Sequence, residues 1–394
     1  MTTLRDQLTS IATAAPTVDL TEGVIRKARR RRAGTHLTSA ATAVAVVAAL
    51  TFAVTGGQRP GDVIMSKVTD TLPAAGVGPL AYAYYDWCGE EWKPGVNTRR
   101  FAKECAQWNV VTRTGHTYRM PEALSVYTEQ SAENYMNTNA PMVISANGER
   151  VVYYSEQDQK IAVRDLESGR VWLIPGTVSR AELVAAPMLL MPSPDGSRLG
   201  VWGRSGQDMV VEVETGKVTE IPEGWHVRAV GDGGAPVIVS TDKDDKLGVL
   251  AEDGTVRAFP PLKHTPAFDL SLPSPDGRKL AYLTGMTGVL TPTSDPAEKS
   301  KPNDTIVTLD TATGETLRPV RLRDVPPGFA ATRAGGWLSP TEVVVSGPAM
   351  ASSQDVTPVL GEQTYSVDIR TGKVTPLASH TYRAWAGSLE LPGF

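Results

Sequence analysis

Two aspartates stand in matching phrases, Ser193-Pro194-Asp195-Gly196 and Ser274-Pro275-Asp276-Gly277. Paired carboxylates can share general acid–base work. The repetition argues for a plainer role, because an Asp in such a turn bonds neighbouring backbone N–H groups. The five histidines (His36, His116, His226, His264 and His380) are dispersed, with no two at ligand spacing, and each reads as a turn or surface residue. Asp242-Lys243-Asp244-Asp245 is acidic enough to suggest calcium. It lacks the alternating oxygen ligands and terminal bidentate acid of a calcium loop, so it reads as a solvated hairpin turn. There is no Gly-x-Ser-x-Gly elbow and no phosphate-cradling glycine loop. With two cysteines, a Cys/His metal centre is poorly supplied. The expectation is no catalytic residue, no cofactor, no metal, and a protein that is not an enzyme.

The phrases themselves point to the elements around them. Weaker copies are Ser145-Ala146-Asn147-Gly148 and Ser339-Pro340-Thr341-Glu342. Each is followed by a short apolar strand, such as Leu199-Gly200-Val201-Trp202 or Leu280-Ala281-Tyr282-Leu283. A second turn signature follows downstream, marked by Gly115, Gly169, Gly216, Gly254, Gly314 and Gly372, often after an acidic residue. Glycine tolerates the positive φ of a tight hairpin. Residues 286–304 and 347–363 are hydrophilic and rich in Pro, Ser and Thr, and read as loops inserted into a shorter repeat. Without them the unit approaches the ~40 residues of one four-stranded propeller blade. The repeat turns Asp195, Gly196, Asp276, Gly277, Gly169, Gly216, Gly314 and Gly372 are therefore structural. Only Ser179–Ala185 competes as a helix beyond the N-terminus.

The count gives six blades, with a seventh as the alternative if residues 123–142 hide a degenerate unit. The first unit opens directly with Pro79-Leu80-Ala81-Tyr82-Ala83-Tyr84 and lacks an innermost strand. The stretch His380–Leu389 resembles the one before Ser274 and is expected to supply it, closing the ring and removing an exposed sheet edge. Tyr82, Tyr84, Tyr85, Trp87 and Trp92 crowd around Cys88. Core packing explains part of this, since Tyr82 and Tyr84 alternate onto one sheet face, and an interface is the other reading.

The chain has 394 residues and a formal net charge of −4, which does not suggest a nucleic-acid binder. Its 36 Gly and 29 Pro suit β structure joined by turns. Arg26 to Arg32 is a dense basic run, followed by a stretch from Ala33 through Gln58 with no Asp, Glu, Lys or Arg. At ~1.5 Å per residue the apolar centre, Leu37–Val54, just spans a hydrocarbon core. Basic residues stay on the cytoplasmic side. The expected organisation is a cytoplasmic basic tail (1–32), a transmembrane helix (33–57), a juxtamembrane spacer (58–77) and an extracytoplasmic β-propeller (78–394). A cleaved signal peptide is the alternative to a retained anchor. Cys88 and Cys105 then lie outside, where a pair at this spacing reads as a disulfide.

The Ser-Pro-Asp-Gly turns with their apolar strands and later Thr-Gly turns resemble those of TolB-like, or Pro-Asp-type, β-propellers of bacterial exported proteins. The pattern is fullest in Ser274–Thr284 with Leu309-Asp310 and Thr313-Gly314, and nearly so in Ser193–Gly203 with Glu214-Thr215-Gly216. A short basic N-terminus, one span and a propeller outside is similar to membrane proteins of high-GC Gram-positive bacteria, some of them encoded beside alternative sigma factors. The fold implied is all-β, a six-bladed propeller behind a single transmembrane helix and a short cytoplasmic tail. The function expected is a non-enzymatic, membrane-anchored extracytoplasmic module that binds a protein or cell-surface ligand and no nucleic acid. The alternative is an anti-sigma-like or signalling regulator whose residues 1–32 bind a cytoplasmic partner.

Overall fold

The computed structural model describes residues 70–86, 107–124, 140–176, 179–185, 188–203, 208–241, 246–261, 270–284, 305–326, 331, 333–348, 359–383 and 389–394. All belong to one compact unit, Met65–Phe394. The expected tail, transmembrane helix and Cys88–Cys105 pair lie outside the described residues, as do His36, His264 and Asp242–Asp245. No helix among the described residues is long and apolar enough to cross a membrane.

The strands form six antiparallel sheets, the blades of a six-bladed β-propeller. Blade two is typical, with Met142–Ile144 innermost, then Arg150–Ser155, Lys160–Asp165 and Val171–Leu173. Its two middle strands are buried on both faces, so they read as apolar runs rather than alternating ones. The outermost strand leaves Val171 and Leu173 44% and 43% exposed. Blade five has three strands, but Ser271 and Ser274 hydrogen-bond Ala281 and Lys279 where an innermost strand would lie. Between blades two and three, Arg180–Ala185 is a single helical turn with a reciprocal cap: Ser179 N–H donates to Glu182 and Glu182 N–H to Ser179 Oγ.

The Ser-Pro-Asp-Gly turns share one wiring. Ser193 Oγ donates to Asp195 (2.8 Å) and accepts from Arg198 N–H (3.1 Å), while Asp195 accepts from Ser197 N–H. Ser274 and Asp276 repeat the set with Lys279 and Arg278, and Ser145 and Asn147 with Arg150 and Glu149. Blade four has Gly231-Asp232-Gly233-Gly234 at this place, keeping the backbone bond from Gly231 N–H to Pro236 O without the Ser–Asp wiring, and the phrase does not identify it.

The ring is closed by Leu389–Glu390, which pairs with blade one through Ala83↔Glu390 and Tyr84↔Leu389. Gly393 N–H then donates to Ile144 O in blade two, and the Phe394 ring lies against Gly335 of blade six. Closure by a late segment agrees with the sequence reading, but the segment is shorter. His380 continues the outermost strand of blade six, Val374–Arg383, because its ladder partner is Glu362. Likewise much of 347–363 is not a loop. Glu342–Pro348 and Val359–Asp368 extend their pairing through Gly347↔Gln363 and Pro348↔Glu362. Residues 70–77, expected in a spacer, pack on the ring: Leu72 and Val77 enter the core between blades one and two, and Arg164 donates to Pro73 O.

The core is five clusters of buried apolar side chains, each bridging consecutive blades from one–two through five–six. Removing residues 389–394 should leave blade one without its innermost strand and lower the thermal midpoint sharply, read by circular dichroism. A matched pair tests the turns. Gly372 has φ +76°, and a Cβ there would sit 1.9 Å from Arg321 O, whereas Gly254 at φ +82° has open space. Gly254→Ala should cost about 1 kcal/mol from backbone strain, and Gly372→Ala at least twice that, read by urea denaturation.

Candidate functional site

Antiparallel strand order divides the ring into two ends. Turns from the first strand of a blade to the second, and from the third to the fourth, emerge at one end. They are the short Ser-Pro-Asp-Gly and Thr-Gly turns, so Asp195, Gly196, Asp276, Gly277, Gly169, Gly216, Gly314 and Gly372 all stand there. Connections from second to third strand, and from blade to blade, emerge at the other end. The described strands that flank 87–106, 285–304 and 349–358 have their free ends there.

At the turn end, Asp195 and Asp276 accept from backbone N–H groups of their own turns, as the repetition predicts, and stand apart on blades three and five. Asp195 meets Asp232 of blade four, its N–H donating to Asp232 Oδ1 at 2.9 Å. Burial and the neighbouring Asp195 push Asp232 up to about 6. Burial alone would raise Asp195 too, but hydrogen bonds from Asp232, Ser197 and Ser193 outweigh it and hold it low. The pair joins two turns and spends its lone pairs on them.

At the loop end, the seam between blades six and one differs from the other five. No apolar cluster bridges it among the described residues. On blade six, the register Arg333↔Ser346↔Thr364 and the pair Glu362↔His380 place polar side chains side by side on the face opposite Val343, Val345 and Tyr365. On blade one, Tyr82 and Tyr84 share a face, and Tyr84 pairs with Asn109. The two faces meet where the Tyr82 and His380 rings lie 4.9 Å apart. Arg333 bridges Glu362 at 2.5 Å and lies 5.5 Å over the Phe394 ring. Tyr85, on the other face, is fully buried core, edge-on to Trp108. The aromatic crowding of blade one is therefore split between core and seam.

The seam is electrostatically tight. Glu390 keeps some solvent contact on the innermost strand, yet protein closes round it. Burial pushes its carboxyl up to about 8, opposed by Arg333 and reinforced by the Glu362 charge. Burial lowers the His380 imidazole, partly offset by Glu362, and raises the Tyr82 phenol. At neutral pH the seam therefore offers an uncharged carboxyl, a neutral imidazole and hydroxyls around one ion pair. Asn109 and Ser346 are fully buried, and the Asn109 amide nitrogen and oxygen and Ser346 Oγ have no hydrogen-bond partner. No sequence signal marked these residues, because the polar face assembles only when strands far apart in the chain come together.

A second grouping lies between blades three and four. His226 Nδ1 meets the buried Asp208 carboxylate at 2.5 Å, with the Trp202 ring 5.1 Å from the imidazole. The Arg228 guanidinium lies 4.6 Å over Trp202, and its Nε donates to Ser240. A histidine oriented by a buried carboxylate can move a proton. This corrects the reading of His226 as a turn or surface residue. His116 is exposed in a Thr-Gly turn and stacks on Tyr118. Among the described residues, no three His, Cys, Asp or Glu side chains converge on a common point that could hold a metal.

The raised Glu390 carboxyl gives a signed pH prediction. Its folded value lies above the ordinary 4.5, so its stabilising contribution is complete below that value and is lost as pH rises through about 8. The thermal midpoint should fall across that window. Glu390→Gln should flatten the profile and stabilise the protein by about 2 kcal/mol on the alkaline side.

No family model matches the chain, and no curated protein matches it. Solved structures do. A protein described as TolB, from Agrobacterium tumefaciens, is 15% identical, with 72% of this chain and 88% of that one covered and a TM-score of 0.37. Virginiamycin B lyase from Staphylococcus aureus is 11% identical, with 70% and 77% covered and a TM-score of 0.37. Oligogalacturonate lyase from Vibrio parahaemolyticus is 15% identical, with 70% and 72% covered and a TM-score of 0.39. At these identities the likeness is one of fold alone. The expectation that the protein is not an enzyme is not upheld, since two of these three structures are named as lyases and the fold by itself fixes neither binding nor catalysis.

Proposed function

We propose that the protein is a binding propeller tethered to a membrane, which presents the loop end of its ring to a protein or cell-surface ligand. The observation that carries the binding reading is the division of the ring. The Ser-Pro-Asp-Gly and Thr-Gly turns stand at one end, while the polar seam and the Asp208–His226 pair lie away from them. The tether rests on sequence, namely the uncharged run 33–57 behind the basic residues 26–32. In this arrangement residues 1–32 lie in the cytoplasm and Cys88 and Cys105 outside, paired as a disulfide. The same arrangement leaves residues 1–32 able to engage a cytoplasmic, sigma-factor-like partner.

The Asp208–His226 pair favours a second reading, in which the loop end also performs proton transfer on what it binds. A His226→Gln variant that retains ligand but loses turnover would establish it, and equal activity in the variant would remove it.

The topology has a direct test. After mild reduction of intact cells, a membrane-impermeant maleimide should label Cys88 and Cys105 without lysis. Labelling only after lysis would put the ring inside and end the proposal. Retention of a cytoplasmic protein by immobilised residues 1–32 would add the regulatory role, and failure to retain any would remove it.

A further inference from the structure

The closing seam contains an unsolved hydrogen-bonding problem. A side-chain amide carries two donors and one acceptor with two lone pairs. At Asn109 both kinds of atom are buried and unmatched, and Asn109 is the one residue among those described with two such atoms. Ser346 Oγ, on the facing blade, is unmatched as well. A buried polar group without a partner costs about 1–3 kcal/mol, so an interior amide is kept this way only where something else pairs with it.

The surroundings say what that is. Asn109 lies beside Tyr84 on the face that meets blade six, with the Tyr82–His380 contact on the same side. Ser346 sits between Arg333 and Thr364 in the facing sheet. Another amide can both accept from it and donate to it, as a hydroxyl can, and only the amide presents the two functions side by side on separate atoms as Asn109 does. Hydroxyls beside it would suit Ser346 and Thr364, and an apolar ring face would suit the tyrosines. A carboxylate or phosphate is poorly matched, because Glu362 and Glu390 already stand there, Arg333 is engaged by Glu362, and Arg119, the cross-strand neighbour of Asn109, is not free either. The burial that holds Glu390 protonated at neutral pH describes the same aversion to added negative charge.

Among the described residues, the seam is also the one joint between blades that no apolar cluster bridges. Separating any other pair of blades would expose an apolar cluster to water, at a cost proportional to its area. Separating blades six and one exposes groups that water solvates well. We infer that this seam is a ligand site, closed in this structure, which opens from the loop end to take an uncharged amide-bearing ligand, its amide pairing with Asn109 and its hydroxyls with Ser346. The inference rests on the binding reading above and is independent of the membrane topology.

The test uses the purified full-length protein in detergent. Asn109→Leu keeps the branching of the side chain and removes the unmatched atoms. It should raise the thermal midpoint of the ligand-free protein. An amide already satisfied inside the ring, by water included, predicts a lower midpoint instead, and that result would overturn the inference. Binding is followed by thermal shift and calorimetry with three probes at millimolar concentration: N-acetylglucosamine, glucosamine and N-acetylalanine methylamide. N-acetylglucosamine or the peptide mimic should bind, and which of the two binds distinguishes a glycan from a peptide source of the amide. Glucosamine, which lacks the amide, should bind at least tenfold more weakly. Asn109→Leu and, should it fail to fold, Ser346→Ala should weaken the binding roughly tenfold or more. Absence of binding by both amide probes, or equal binding by wild type and variants, would refute the site. Cysteine labelling from the wrong side of the membrane would leave this result untouched.

Discussion

Two residues hold the ring together. Blade one has no innermost strand of its own, and Leu389–Glu390 supplies it by pairing with Ala83 and Tyr84. Without that pair the edge of Leu80–Asp86 would present open backbone groups, and blades one and six would have no fixed relation. The contacts that follow are local consequences: Gly393 on Ile144, the Phe394 ring against Gly335, and Arg333 over that ring. A six-fold repeat makes five seams by ordinary succession in the chain. The sixth has to be made by segments from opposite ends of it, and here it is made with different chemistry.

That difference organises the molecule. Five seams are apolar and stabilise the ring through burial, which is indifferent to orientation. The sixth is lined by polar and titratable side chains, with the Tyr82–His380 ring contact across it and the Arg333–Glu362 ion pair on its blade-six side, and these have directions and pH dependence. The perpendicular division follows from antiparallel order. Tight turns with a shared Ser–Asp wiring fall at one end, and the connections free to vary fall at the other. Asp232, pushed up to about 6 beside Asp195, shows that an ionisable pair also occurs among the turns, but there both carboxylates are absorbed by backbone donors.

The sequence made some of this plain and left some hidden, for physical reasons. Turns are local, so Ser193–Gly196 and Ser274–Gly277 announce themselves, and the downstream Gly turns give a count of six blades with seven as the alternative. Middle strands buried on both faces read as apolar runs. The late closing segment was legible from the missing strand of blade one, but its limits were not, because strand length is decided by the partner. The Glu362↔His380 pairing carries His380 into blade six, and the long hairpin takes in both flanks of what looked like an insertion at 347–363. Blade four escaped the motif because its turn keeps the backbone bond without the Ser–Asp wiring. Of the seam, only the aromatic face of Tyr82 and Tyr84 was legible. Asn109, Ser346, Glu362 and Glu390 are ordinary residues, spread along the chain, whose meaning appears only when the first and last blades face each other.

The polar seam also bears on how the chain assembles. Residues 389–394 follow every other strand in order, so blades one to six can stack before the ring is able to close. During that interval the flank of blade one and the flank of blade six are both open to solvent. Had they been apolar like the other blade faces, every unfinished molecule would carry two sticky surfaces, well placed to join a neighbour instead of each other. With Tyr, Asn, Ser, Glu and His on those flanks, the waiting intermediate stays wettable, and the ring's own last segment is the best partner within reach.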